Sequence, residues 1–226
     1  MIIKILTLFP EMFENFLQCS IVGRAINGKA IDVTLINIRD FTDDKHNTAD
    51  DYPYGGGAGM VMKPEPLYRA IMYAKNGKKI PVIYFSPQGK RLNQQVVNDY
   101  TKVEEVILLC GHYKGIDQRI RKRFVDYEIS IGDYVISGGE LAAMVFVDSV
   151  ARLQEGVLNN IDSALTDSYQ NNLLDAPYYT RPAEFMGMKV PEVLISGNHQ
   201  KIAEWRAKKA YEITKVRRPD LLNEES

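Results

Sequence analysis

Three times between residues 81 and 139 the chain passes from an apolar run into a loop of glycine and small polar residues: PVIYFSPQG (81–89), VILLCGHYKG (106–115) and YEISIGDYVISGG (127–139). Glycine directly after a buried strand lets the backbone turn sharply or approach a ligand closely. In open α/β sheets the loops beyond the carboxyl ends of parallel strands form the ligand crevice, so three such loops point to one small-molecule pocket lined largely by backbone. A further cluster, Gly55-Gly56-Gly57-Ala58-Gly59, could cradle a phosphate through its amides or serve as a plain flexible loop. Asp133, Asp167 and Asp175 stand in polar, loop-like surroundings, where most aspartates solvate or cap turns. Arg152 lies near the end of an otherwise apolar helical stretch, where a guanidinium either satisfies the last carbonyls or is aimed at a substrate.

Other chemistries find little support. The glycine loops contain neither GxGxxG nor GxxxxGK[ST], so neither a dinucleotide fold nor an NTPase is indicated. Cys19 and Cys110 are too few for a disulfide framework, and Cys110 sits in the apolar run VILLC, where a packed thiol is expected. His46, His112 and His199 are scattered without metal-ligand spacing, so no structural metal site is expected. No run approaches the roughly 18 to 20 apolar residues of a membrane span. The N-terminal MIIKILTLFP lacks a small-residue cleavage site, and a cytoplasmic protein with no membrane partner is expected.

The 226 residues, 45% apolar and 25% charged, suit an ordinary globular protein of one large domain with or without a small appendage. The net charge of −1 hides a local surplus. Between His199 and Arg218 seven basic residues (Lys201, Arg206, Lys208, Lys209, Lys215, Arg217, Arg218) stand against two acidic ones (Glu204, Glu212), a segment suited to holding a polyanion.

The elements that must position these residues alternate. MIIKILTLF reads as a strand, PEMFENFLQCSIVGRAING as one helix stopping near Gly28, and IDVTLINI (31–38) as a second strand. Residues 39–60 have no periodicity and read as a long loop. Helices are expected at 64–75 and 91–103, each leading into one of the apolar runs, and another opens at Gly138-Gly139-Glu140. This order predicts an α/β fold with a parallel sheet covered by helices on both faces. Beyond Gln154 the sequence turns rich in Asn, Asp, Ser and Pro and reads as a linker or lid. A last helix is expected from Asn198 to Arg217, introduced by Ser196-Gly197-Asn198. Its Lys201, Lys208 and Lys215 recur every seven residues and align on one face, while Ile202, Trp205, Ile213 and Val216 can pack elsewhere.

Taken together, LFPEMF (8–13), DDYPYGGGAGM (50–60), FSPQG (85–89), LCGHYKGIDQR (109–119), SIGDYVISGGELAAM (130–144), VARLQEGVL (150–158), TDSYQNNLLDAPYYTRP (166–182), ISGNHQKIAEWR (195–206) and RRPDLL (217–222) are specific and cover nearly the whole chain. In these motifs the sequence resembles the bacterial tRNA (guanine-N1)-methyltransferases that act on guanosine 37, the TrmD family of the SPOUT class. The resemblance implies a domain (1–158) closed by a deep trefoil knot that binds S-adenosylmethionine, a flexible lid (159–175) and a small, mainly helical tRNA-binding domain (176–226). It implies a homodimer with a composite active site, with tRNA and no DNA as partner. The positions matching the family's cofactor contacts are Tyr84, Phe85, Ser86, Pro87, Gln88, Gly89, Gly111, Tyr113, Gly115, Ser130, Ile131, Gly132, Asp133, Tyr134, Val135, Ile136, Gly138 and Gly139. Asp167 occupies the place of the catalytic aspartate and Arg152 that of the assisting arginine. Gly57, Gly59, Asp175, Ser196, Asn198, Lys201, Lys208 and Lys215 are expected on the tRNA.

The chain departs from the family where relatives usually carry glutamate at Lys114 and often arginine at His112. The reversed charge at Lys114 puts in doubt the magnesium associated with the family; Lys114 either points to solvent or partly substitutes for the metal. Ala58 and Ala142 replace common prolines and Tyr178 a histidine. Two other readings remain: a SPOUT methyltransferase acting on a ribose hydroxyl, and a non-catalytic RNA-binding protein of the same fold.

Overall fold

In a computed structural model that describes residues 1–158 and 167–222, β1 (Ile2–Thr7) and β2 (Asp32–Asn37) precede the short strands β3 (Asp50–Asp51) and β4 (Val61–Met62). β5 (Val82–Arg91), β6 (Glu105–Leu109) and β7 (Tyr127–Ser130) follow. All but β3 and β4 form one five-stranded sheet in the order β2-β1-β6-β5-β7, every pairing parallel. The apolar runs of the inner strands β1, β6 and the first half of β5 are continuous because these strands are buried on both faces. Ile3, Ile5, Ile83, Phe85, Val106 and Leu108 face one core, while Leu6, Val82, Tyr84, Ile107 and Leu109 face the other. The first core is closed by α1 (Glu14–Gln18), α2 (Ser20–Asn27), α4 (Gln94–Tyr100) and α6 (Glu140–Ala151), and the second by α3 (Pro64–Lys75) and α5 (Gln118–Phe124). The expected α/β architecture, a parallel sheet with helices on both faces, is what the chain forms.

The helix expected over 10–28 is broken. A 3-10 turn (Pro10–Phe13) leads into α1, and Cys19 is extended at φ −106°, ψ 157° before α2 begins. Two short helices can each turn an apolar side to the curved sheet. Phe13 from the turn and Val22 and Ala25 from α2 thus reach the same core. The helix expected at 91–103 starts later, because Lys90 and Arg91 still pair with Ile129 and Ser130 of β7. Asn93 then accepts a 2.9 Å bond from the Val96 amide and caps α4. α5 was not expected from the sequence, and the segment read as loop contains the β3–β4 pair.

β5 has one feature that matters for the site. Its partner Ile129 pairs first with Phe85 and then with Lys90, so Ser86–Gly89 bulge out of the ladder. A Cβ at Gly89 would lie 2.4 Å from the Ile129 amide nitrogen, so only glycine lets the strand rejoin β7 there.

Contacts divide the chain into two units, Met1–Ile161 and Asp162–Ser226. The first eight residues of the segment read as a lid (159–166) lie outside the described residues. In the second unit, β8 (Glu184–Phe185) and β9 (Met188–Lys189) form an antiparallel pair, followed by α7 (Glu192–Ile195), α8 (His199–Arg217) and a 3-10 turn (Pro219–Leu222). Asn198 caps α8 by accepting from the Lys201 amide at 3.0 Å. The buried Thr214 hydroxyl accepts from the Leu174 amide at 2.8 Å and donates to the Ala210 carbonyl at 2.7 Å, tying the loop before 175 to α8. Val216, expected to pack, is 81% exposed: Thr214 takes the inward position, and a residue two places on points about 200° around the helix. Among the described residues no helix is long and apolar enough to cross a membrane.

Candidate active site

The three glycine loops converge. They enclose a cavity of about 430 Å³ whose wall includes every cofactor candidate except Gly89 and Asp133. Gly89 supports the wall from the strand, as described above. Asp133 is turned outward and pairs with Arg91. The first loop reaches the cavity because it bulges from β5. The second (111–115) is held on one side by a β-bridge between His112 and Gly138 and by the Gly139 amide donating to the Gly111 carbonyl at 2.8 Å. On its other side the Lys114 amide donates to the Met60 carbonyl at 2.9 Å, and the Met62 amide to the Gly115 carbonyl at 3.0 Å. The loops therefore brace one another through backbone, which fixes a pocket before any ligand arrives.

Tyr84 forms the floor beneath the second loop. A Cβ at Gly111 would lie 2.6 Å from its ring, so the loop can rest on the tyrosine only without a side chain there. Burial raises the Tyr84 hydroxyl above its ordinary pKa, against the pull of Arg121, whose guanidinium lies 5.9 Å from the ring centroid. Arg121 is in turn fixed by Glu128 of β7, with Nε donating to Oε1 at 2.6 Å. It is a wall residue the sequence reading missed, because it stands on the unexpected helix α5; the Asp117 cap before that helix was the available signal.

Behind the second and third loops lies a buried carboxylate. Glu140, the first residue of α6, is 1% exposed and accepts from Thr7 Oγ1 at 2.8 Å, and its other oxygen stands 3.8 Å from His112 Nε2. Phe9 packs on the same imidazole, 4.9 Å between ring centroids. The end of β1, the second loop and the start of α6 thus meet at one polar knot of side chains.

The wall of the cavity carries His112, Lys114 and Arg121 but no aspartate or glutamate. The stem of Lys114 lies across Gly59, whose added Cβ would stand 2.9 Å from Lys114 Cγ. Among the described residues the Lys114 side chain has no ion-pair partner, and no group of three or more His, Cys, Asp or Glu could hold a metal ion. Because Arg121 is already held by Glu128 and His112 stands beside Glu140, the Lys114 ammonium is the wall group able to meet an anionic part of a ligand, and the three side chains do not suit a divalent cation. A cofactor presenting a carboxylate fits such a wall.

Arg152 is the C-cap of α6, half-buried, its amide donating to the Asp148 carbonyl at 3.2 Å. Gly57 and Gly59 lie in the β3–β4 connection. In the second unit Asp167 and Asp175 are half-buried neighbours. Burial first, then the charge of Asp167, holds the Asp175 carboxyl above the usual aspartate range, against hydrogen bonds from Ser168. Lys201, Lys208 and Lys215 are all exposed, whereas Ser196 and Asn198 bond within the turn that starts α8.

A parallel α/β sheet whose loops beyond the strand ends close a largely backbone-lined cavity defines the class: an α/β protein with a small-molecule pocket at the carboxyl ends of its strands. The sequence matches the family described as tRNA (Guanine-1)-methyltransferase TrmD over residues 1–224, and the chain belongs to that family. It is 56% identical to a tRNA (guanine-N(1)-)-methyltransferase of Caldanaerobacter subterraneus subsp. tengcongensis, over 98% of this chain and 92% of the relative. It is 54% identical to one of Brevibacillus brevis over 97% of this chain and 90% of that protein. A Geobacillus kaustophilus relative of the same description shares 53% over 98% and 91%.

Proposed function

We propose that the protein methylates N1 of guanosine 37 in tRNA, using S-adenosylmethionine bound in the cavity of the glycine loops. The observation that carries the reading is the convergence on one pocket of the three loops that the family resemblance gives as cofactor contacts, in a chain of the TrmD family. The SPOUT class, the trefoil knot, the homodimer with its composite site and the division into cofactor-binding (1–158), lid (159–175) and tRNA-binding (176–226) parts belong to the same proposal.

S-adenosylmethionine supplies a methyl group already activated on a sulfonium. The remaining difficulty is the guanine, whose N1 carries a proton at neutral pH and is a poor nucleophile until it leaves. Asp167 is the proposed base that takes this proton. As it leaves, negative charge spreads to O6, and the Arg152 guanidinium stabilises it with directed hydrogen bonds. The backbone-lined loops would hold the donor in one orientation, which lowers the entropic cost of attack. Lys114 would meet the carboxylate of the bound cofactor, a role a metal would otherwise fill. Gly57, Gly59, Asp175, Ser196, Asn198 and the three lysines of α8 are assigned to the tRNA, the lysines positioning its backbone.

The test is Asp167→Asn assayed in single turnover with saturating cofactor. Cofactor affinity should stay near wild type while the rate falls by about two to four orders of magnitude. A wild-type rate would remove Asp167 from the mechanism.

A further inference from the structure

A second cavity, of about 350 Å³, lies wholly within the second unit and has no part in the site described above. Its walls bring together Tyr178, Tyr179, Arg181 and Arg206 over a base that includes Leu194 and Ile195. Tyr178 is 68% exposed, Tyr179 50% and Ile195 65%, an apolar and aromatic surface left open to water. Among the described residues neither Arg181 nor Arg206 has an ion-pair or hydrogen-bond partner for its side chain. Trp205 lies against Tyr179, with 6.5 Å between ring centroids. Arg206 follows Trp205 on α8, so the capped helix presents stacking support and positive charge together.

Flat aromatic faces beside unpaired guanidinium groups match the two halves of a nucleotide. A base stacks on a tyrosine whatever its identity, and its phosphate attracts arginine. An acidic peptide would use the arginines but leave the tyrosine faces unfilled, and a purely apolar partner would leave two cations desolvated without partners. We propose that this cavity binds one unpaired nucleotide of the RNA substrate, its base against Tyr178 or Tyr179 and a flanking phosphate on Arg181 and Arg206. The site deepens the tRNA reading and rests on it.

Trp205 is the single tryptophan of the chain and touches Tyr179 of the cavity wall, so the part of its emission change that is lost in Tyr178→Ala with Tyr179→Ala reports on this cavity. Titrating the full-length protein with tRNA and with a short single-stranded oligoribonucleotide should change Trp205 emission saturably. Tyr178→Ala with Tyr179→Ala should weaken tRNA binding by roughly tenfold or more, with the salt slope unchanged. Arg206→Gln should weaken it and lower the slope by about 0.7 to 0.9. S-adenosylmethionine affinity should be unaffected in each variant, and wild-type far-UV circular dichroism and thermal melting show that the second unit, which carries the substitutions, is folded. The site is overturned if tRNA binds the variants as it binds wild type, or if Trp205 emission stays constant at saturating tRNA. It is equally overturned if the variants lose self-association in sedimentation velocity while keeping RNA affinity, since the surface then serves a protein contact. Wild-type protein that binds no tRNA overturns the functional reading and the site together, whereas normal binding by the variants overturns the site alone.

Discussion

The Thr7 hydroxyl at the end of β1 donates a 2.8 Å hydrogen bond to the carboxylate of Glu140 at the start of α6, across 133 positions of sequence. The same hydroxyl accepts from the Phe9 amide at 2.9 Å, so one oxygen serves a buried carboxyl group and a turn. Thr7→Val keeps the shape and leaves both groups short of a partner. The expected loss is about 1–3 kcal/mol in urea unfolding. Cofactor affinity should fall with it, because Glu140 stands where the second and third loops meet; a variant as stable as wild type would show that water replaces the hydroxyl.

Lys114 can be separated from the rest of the wall by its charge. Lys114→Gln should weaken S-adenosylmethionine binding about tenfold, as expected for one charge-assisted hydrogen bond, and leave methylthioadenosine, which lacks the carboxylate, unchanged. Lys114→Glu should bind the cofactor well only with added magnesium. Calorimetric titration with and without chelator reads both, and loss of wild-type activity in chelator would remove the lysine from this role.

The pH response of the second unit follows from Asp175. Its carboxyl is held above the ordinary value by burial and by Asp167, so the folded chain binds this proton more tightly than the unfolded chain. The stability it contributes is fully present below the unfolded pKa of about 3.9 and is lost as pH rises through the higher folded value. Asp175→Asn should remove this dependence and melt higher than wild type at pH 7. Asp167→Asn should bring the Asp175 pKa down only part of the way, since burial remains. Carboxyl-carbon NMR titration measures this, and an unmoved Asp175 would mean the two charges are not coupled.

The lysine face of α8 should act through counterion release. Replacing Lys201 and Lys208 together by Gln should lower the salt slope of tRNA binding by roughly 1.4 to 1.8 if each meets a phosphate. Lys208 stands 4.0 Å from Glu212, an exposed pair too weak to withhold it from RNA. An unchanged slope across 50–200 mM salt, an interval chosen for the strength of the effect, would mark the face as merely solvated.

Gly89→Ala tests the bulge. The added Cβ meets the backbone of β7 at 2.4 Å, where no side-chain movement can relieve it. The expected result is a destabilisation of about 1–3 kcal/mol and weakened cofactor binding, read by thermal melts and calorimetry.

Much of the fold was legible because the strands at 82–85 and 106–109 are buried on both faces and so lack polar residues that would blur them. α3 matched its expected bounds because Pro64 and Pro66 fix its start and Asn76, at φ 43°, its end. α5 was not legible: in QRIRKRF only Ile120 is buried, and five of the seven side chains read as polar surface. The break at Cys19 and the late start of α4 depend on what the neighbouring strands and helices require, which no local pattern records.

The amino-acid sequence by itself determined the kind of wall the pocket has, because glycine next to a buried strand permits close backbone approach wherever the strand lies. Only the tertiary structure decided that the three loops share one cavity, that Arg121 joins them through Glu128, and that Thr7 meets Glu140. The reason is the strand order β2-β1-β6-β5-β7, in which β6 inserts between β1 and β5. Neighbours are set by pairings made far along the chain, and a residue-by-residue pattern carries no term for them.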